Sequence, residues 1–82
     1  MNKEFNEQFD ALIEKYTELL TGKSDRHLNE KIEKWALYTY ISKTMPSLVK
    51  HWNGLYPDAK DSMKEIIMEI KQLNEEHRSQ DK

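Results

Sequence analysis

The sequence predicts an all-α protein: a small up-and-down bundle of three main helices plus one short helix after Pro46. Apolar residues recur at helical spacing in long stretches near both ends of the chain. Gly22, Pro46 and Pro57 stand where these stretches stop, and such residues commonly end or begin helices. Residues 1–78 are therefore expected to form one helical domain, followed by a frayed tail over 79–82.

The first helix is predicted over residues 3–21. Gly22 should end it, because glycine accepts the left-handed backbone geometry that often follows a helix. Seven side chains at intervals of three, four or one residues give this helix one apolar face. They are Phe5, Phe9, Leu12, Ile13, Tyr16, Leu19 and Leu20.

The second helix is expected to begin beside Ser24 and Asp25, whose side chains can accept hydrogen bonds from free backbone amides. It should stop near residues 43–45, because Pro46 has no amide hydrogen and disfavours helical geometry in the residue before it. Its apolar residues lie on two sides, and a helix of that kind is usually buried on both. The first side comprises Leu28, Ile32, Trp35, Ala36 and Thr39; the second comprises Leu37, Tyr38, Ile41 and Met45.

Two further helices complete the prediction. In the short one, Thr44 could cap the start, Pro46 occupies an early position, and Leu48, Val49 and Trp52 form one apolar face. Asn53-Gly54 is a turn signal that should end it. The last helix is predicted over residues 57–77 from a single apolar stripe: Ala59, Met63, Ile66, Ile67, Ile70, Leu73 and His77.

Composition limits the class of protein. Only 37% of the 82 residues are apolar and 34% are charged, so the core must be small and self-association is expected. There is no cysteine to form a disulfide or a thiolate metal site. The first residues do not resemble a secretory signal, and no stretch approaches the length needed to cross a bilayer. The sequence thus predicts a soluble, cytoplasmic protein without membrane association.

Charge is distributed unevenly along the chain. Residues 1–22 carry a net charge of −3, residues 23–53 carry +3, and residues 54–82 carry −2. The acidic flanks could complement the basic centre within one bundle, or the centre could present a surface to an anionic ligand such as RNA or an acidic protein. The overall charge of −2 argues against nonspecific nucleic-acid binding, which depends on neutralising phosphates.

The aromatic and basic residues of segment 40–56 form the candidate binding surface. This segment combines rings, lysines and a histidine near a forced chain break, and functional side chains often lie on such connections. Trp52 has a second interpretation as a core anchor, which the low apolar content favours. The candidate binding residues are Tyr40, Lys43, Lys50, His51, Trp52 and Tyr56.

No motif of catalysis is present in the sequence. It contains no nucleophile elbow and no glycine-rich phosphate loop. His27, His51 and His77 are 24 and 26 residues apart, which is not a metal-ligand spacing. We therefore expect no catalytic residue, no metal site and no cofactor, and the protein is not predicted to be an enzyme.

Two functions remain in competition. The leading hypothesis is a helical interaction module that self-associates, for instance as a homodimer, and holds a protein partner through segment 40–56. The alternative is a small-molecule-binding domain or an unusual enzyme, with His51 and Tyr56 lining a pocket beneath the Pro46 break. Such a pocket usually needs about 300 Å³ or more, which is difficult to fit in so small a core unless two subunits share it.

One resemblance covers nearly the whole chain. The runs Trp35-Ala36-Leu37-Tyr38 and Lys43-Thr44-Met45-Pro46, then His51-Trp52-Asn53-Gly54 and Tyr56-Pro57, resemble the YusU-like family of short bacterial proteins. That resemblance implies a cytosolic bacterial protein of unknown function. It supplies no catalytic residue to carry over to this chain.

Overall fold

A computed structural model describes residues 2–80, and it confirms the all-α prediction. Four helices account for most of this range: α1 (Lys3–Thr21), α2 (Arg26–Thr44), α3 (Pro46–Leu55) and α4 (Pro57–Gln80). The described residues include no strand. None of the described helices is both long enough and apolar enough to cross a membrane.

The starts of α1 and α2 and the end of α1 follow from side-chain and backbone chemistry. The Asn2 side chain accepts a hydrogen bond from the Phe5 amide at 2.7 Å, and Asp25 accepts one from the Leu28 amide at 2.8 Å. Gly22 adopts φ 83° and ends α1, with its amide donating to the Glu18 carbonyl. The predicted ends of α1 and start of α2 are thereby confirmed.

Two local predictions around α3 are wrong. Thr44 does not cap α3, because its hydroxyl instead donates to the Tyr40 carbonyl at 3.0 Å, inside α2. Asn53 and Gly54 do not form a turn; they lie within α3, which continues to Leu55. The chain breaks at Tyr56, the residue before Pro57, because a residue before proline is pushed out of helical geometry.

The last helix is longer than predicted. It continues to Gln80, three residues beyond the predicted end at residue 77. The first two residues of the predicted tail are therefore helical, and residues 81–82 lie outside the described part of the chain.

The buried side chains are concentrated where α1, α2 and α4 meet, and we call this region the closed end. Its buried members are Thr17 and Thr21 of α1, Leu28 and Ile32 of α2, and Ile70 of α4. The Lys31 ammonium contacts the Glu69 carboxylate at 2.7 Å, which joins α2 to α4. The Asn74 amide donates to the Leu20 carbonyl at 2.8 Å, which joins α4 to α1.

Thr17 and Thr21 are buried without leaving a polar group unpaired. The Thr17 hydroxyl donates to the Ile13 carbonyl at 2.7 Å. The Thr21 hydroxyl lies 2.8 Å from the carbonyls of both Thr17 and Lys23. Threonine can therefore face the interior here, since its hydroxyl bonds to nearby backbone and its methyl group packs.

The rest of the molecule leaves apolar surface uncovered, and we call it the open half. It comprises the first half of α1 (residues 3–12) and the region where α2, α3 and α4 meet. Every residue from Asn2 to Leu12 is exposed. The α1 stripe, defined as Phe5, Phe9, Leu12, Tyr16 and Leu19, is exposed along its length. α1 is an amphipathic helix as predicted, yet it buries the threonine side flanking its apolar face.

The prediction that α2 is buried on both sides is only partly right. α2 contacts α1, α3 and α4, and α4 likewise contacts the other three helices. Leu28 and Ile32 are buried, but Leu37 on the second side is 61% exposed and Ile41 is half-buried. α3 has only ten residues, so it covers the second side of α2 incompletely.

Candidate functional site

The open half contains an apolar groove bounded by α2, α3 and α4, with a volume of about 620 Å³. Met63 is buried at this position, whereas Leu37 and Leu48 remain more than half exposed. Two polar residues, Lys34 and Ser62, also line it. The apolar lining consists of Leu37, Tyr38 and Ile41 from α2, Leu48, Val49 and Trp52 from α3, and Ala59, Met63 and Ile66 from α4.

Trp52 is the centre of an aromatic cluster that forms one wall of this groove. Its ring lies 6.0 Å from the Tyr38 ring and 6.0 Å from the Tyr56 ring, with interplanar angles of 59° and 54°. Tilted pairs at this distance are favourable. The Tyr38 hydroxyl donates to the Asn53 side-chain oxygen at 3.1 Å, which links α2 to α3. Trp52 is half-buried, so it packs as an anchor and still lines the groove.

Lys50 and His51 lie elsewhere, on the outer face of α3. Together with Ser47 and Gly54 they line a shallow cleft of about 480 Å³ whose lining does not include Tyr56. Residues 50 and 52 are about 200° apart around a helix, so one helix cannot turn both toward the same surface. The pocket hypothesised from His51 and Tyr56 together therefore does not match this cleft.

The remaining predicted residues are open to solvent. Tyr40 is 65% exposed, Tyr56 is more than half exposed, and Lys43 is exposed. The structure thus brings Trp52 and Tyr56 together on one side of α3, and Lys50 and His51 on the other. These two pairs form separate surfaces of segment 40–56.

Sequence reasoning missed the wall of the groove that α4 supplies. Ala59, Met63 and Ile66 are recognisable in the sequence as one helical stripe, but nothing local indicates that α3 leaves part of that stripe open. The sequence predicts that Tyr38 lies on the second side of α2, but it does not predict which side chain it contacts. The contact with Trp52 depends on how α3 folds back onto α2. The lining is mostly apolar, so the groove is an uncovered apolar surface of the described chain.

Comparison with known proteins places the chain in a family. The family described as "Protein of unknown function (DUF2573)" matches residues 3–80. The chain is 56% identical over 79 residues to "Uncharacterized protein YusU" of Bacillus subtilis (strain 168), covering 96% of this chain and 83% of that relative. No solved structure matches. The resemblance to YusU-like proteins is confirmed: the chain belongs to the DUF2573 family of proteins of unknown function.

Proposed function

We propose that this protein is a small cytosolic interaction module that self-associates through its open half and holds a protein partner through segment 40–56. The observation that supports self-association most strongly is an imbalance between buried and exposed apolar side chains. Within the described residues, four hydrophobic side chains are buried, namely Leu28, Ile32, Met63 and Ile70, while twelve large ones are exposed. In a lone subunit, exposed large apolar side chains therefore outnumber the buried ones.

Surface area and shape support the same proposal. A folded monomer of 9.9 kDa exposes about 5,200 Å², whereas this chain exposes 6732 Å². Its radius of gyration is 14.4 Å, while a compact domain of this length has about 12 Å. The excess of roughly 1,500 Å² for each chain lies in the range that one protomer of a permanent dimer buries.

The outer surface of segment 40–56 is suited to a different partner. Lys43 and Lys50 carry positive charge on this segment, and His51 and the ring of Tyr40 are exposed on it as well. Aromatic side chains are enriched in protein interfaces, and lysines around them can steer an acidic partner to the surface. This surface lies apart from the groove, so one chain could hold a partner protein while it self-associates.

Sedimentation equilibrium over a range of protein concentrations tests self-association. We expect the average mass to rise from that of one chain toward that of two as the concentration increases. A strict monomer at the highest concentration would remove self-association from the proposal.

Binding by the outer surface needs a separate test. A partner captured by the wild-type chain should be lost when Lys50→Glu and His51→Ala are combined, while sedimentation of this variant stays unchanged. Lys71→Glu on α4 is the control for the added negative charge. Full retention of every partner by the double variant would eliminate segment 40–56 as the binding surface.

A further inference from the structure

We infer that the apolar groove is occupied by the N-terminal half of α1 from a second copy of this chain, in a reciprocal two-fold dimer. This inference rests on the proposed self-association and specifies which surfaces meet. Each copy would then give its α1 stripe to the groove of its partner and receive the partner's stripe in return. Such an isologous arrangement closes after two chains.

The first support is the isolation of the start of α1. Phe5 and Phe9 pack on each other with ring centroids 6.1 Å apart, yet each ring remains nearly half exposed. A helical segment of this length is marginal in water without a surface to pack on. Residues 3–12 belong to a helix that is buried only toward its C-terminal end, so a partner surface on their apolar side would stabilise them further.

The second support is the match between the stripe and the groove. Phe5, Phe9 and Leu12 recur at spacings of four and three residues, which is the pattern of anchors that a helix presents to an apolar groove. The groove is open, apolar and long enough to be lined from Lys34 to Ile41 along α2. A helix face is thus the kind of ligand that its shape accepts.

The third support is charge complementarity. Residues 1–22 carry −3 and residues 23–53 carry +3, but α1 makes no contact with α3 within one chain. Lys34 lines the groove and forms no ion pair with any described residue. Glu4, Glu7 and Asp10 of a docked α1 would bring negative charge to this basic segment.

The chain's own α1 is unable to fill the groove. Its C-terminal part is fixed at the closed end by the buried Thr17 and Thr21 and by the Asn74–Leu20 hydrogen bond. Its connection to α2 is only four residues long, from 22 to 25. A second copy supplies the same helix without this restraint, and each dimer buries two grooves and two stripes.

Disulfide cross-linking tests the inference directly, because the natural chain has no cysteine. Phe9→Cys chains and mass-tagged Leu48→Cys chains are mixed and oxidised under conditions in which the wild-type chain is a dimer. We expect the mixed disulfide to form at least ten times faster than in a mixture of Ala11→Cys with Leu48→Cys. Ala11 is also exposed but lies about 200° from Phe9 around α1.

Different outcomes would contradict the docking of α1 in the groove and self-association itself. If wild-type chains dimerise and only Phe9→Cys chains link to each other, two α1 stripes pair and the groove is not their site. If the dimer forms and Leu48→Cys links to neither, the groove faces solvent or holds another ligand, and the inference is equally overturned. If the wild-type chain is monomeric, the proposed self-association fails as well.

Discussion

The closed end, where α1, α2 and α4 meet, buries its apolar side chains, whereas the open half, which also includes α3, leaves many of them exposed. At the closed end, α1, α2 and α4 bury Ile32 and Ile70 almost completely and add a salt bridge and a side-chain hydrogen bond between helices. In the open half, Phe9 and Leu37 remain exposed, and the short helix α3 packs on α2 and α4 but leaves a groove between them uncovered.

This difference shows how a chain poor in apolar residues can fold and still leave part of its apolar surface uncovered. A few buried side chains hold α1, α2 and α4 together at the closed end. Two of them are threonines, whose hydroxyls donate to backbone carbonyls. Larger rings and leucines thereby stay exposed, and under the proposed function they make contacts outside the chain. An exposed apolar surface of this extent is typical of a protein–protein interface.

The largest expected effect is at the closed end. Ile32 is fully buried, so Ile32→Ala should lower the free energy of unfolding by about 4 kcal/mol through lost burial and a cavity. Leu37→Ala, at a site 61% exposed, should change it by less than about 0.5 kcal/mol. Urea unfolding of both variants in a Phe9→Asp background, which we expect to weaken association, measures the contrast at low protein concentration. Equal losses would contradict the division into two regions.

The next effect is on association. Phe9→Asp should raise the dimer dissociation constant by about thirtyfold or more, because a buried aromatic anchor contributes about 2 kcal/mol or more. Ala11→Asp introduces the same charge on the opposite side of α1 and should leave dissociation nearly unchanged. Sedimentation of the two variants makes the comparison. If they weaken association equally, general charge repulsion rather than the stripe is responsible.

Replacing glycine by alanine should change stability in opposite directions at Gly22 and Gly54. At Gly22 a new methyl group would lie 2.6 Å from the His77 ring, and φ is 83°, so Gly22→Ala should destabilise the fold by about 2 kcal/mol. Gly54 lies within α3 with open space around it, so Gly54→Ala should stabilise the chain by about 0.5–1 kcal/mol. Thermal unfolding of both variants measures this. A loss of stability on Gly54→Ala would contradict the open space around Gly54 on the outer face of α3.

The smallest effect concerns charge at the groove. Lys34→Glu should weaken self-association by roughly threefold at low salt, since it places negative charge beside an acidic α1, and the difference should fade as salt is added. Lys23→Glu, in the connection at the closed end, makes the same change in net charge. A matching effect of Lys23→Glu would assign the weakening to net charge alone.

Local chemistry made most of the fold predictable. Asp25, Gly22 and Pro46 specify where helices begin and end through hydrogen bonding and allowed backbone angles, and these act over a few residues. The predicted turn at Asn53-Gly54 is wrong because a helix can continue through a glycine at a modest cost in stability.

Which helix faces pack against one another is harder to predict from the sequence. The spacing of Phe5 and Phe9 identifies an apolar face but not its partner, and the buried Thr17 lies on a side that hydropathy classifies as polar. Trp52 was found from the sequence as a candidate, whereas the groove it lines depends on Met63 and Leu37 from distant segments. The position of a groove depends on contacts between helices that are far apart in the chain. The spacing of apolar residues within one helix does not predict those contacts.

Complementation between two defective chains is the most direct test of a dimer in which each open half completes the other. Phe9→Asp retains its groove, and Leu48→Asp retains its α1 stripe, so each variant alone lacks both contacts of the dimer. Their mixture restores one intact contact. We predict that each variant sediments as a monomer and that the mixture forms a dimer weaker than the wild type. A mixture that stays monomeric while the wild-type chain dimerises would contradict this account.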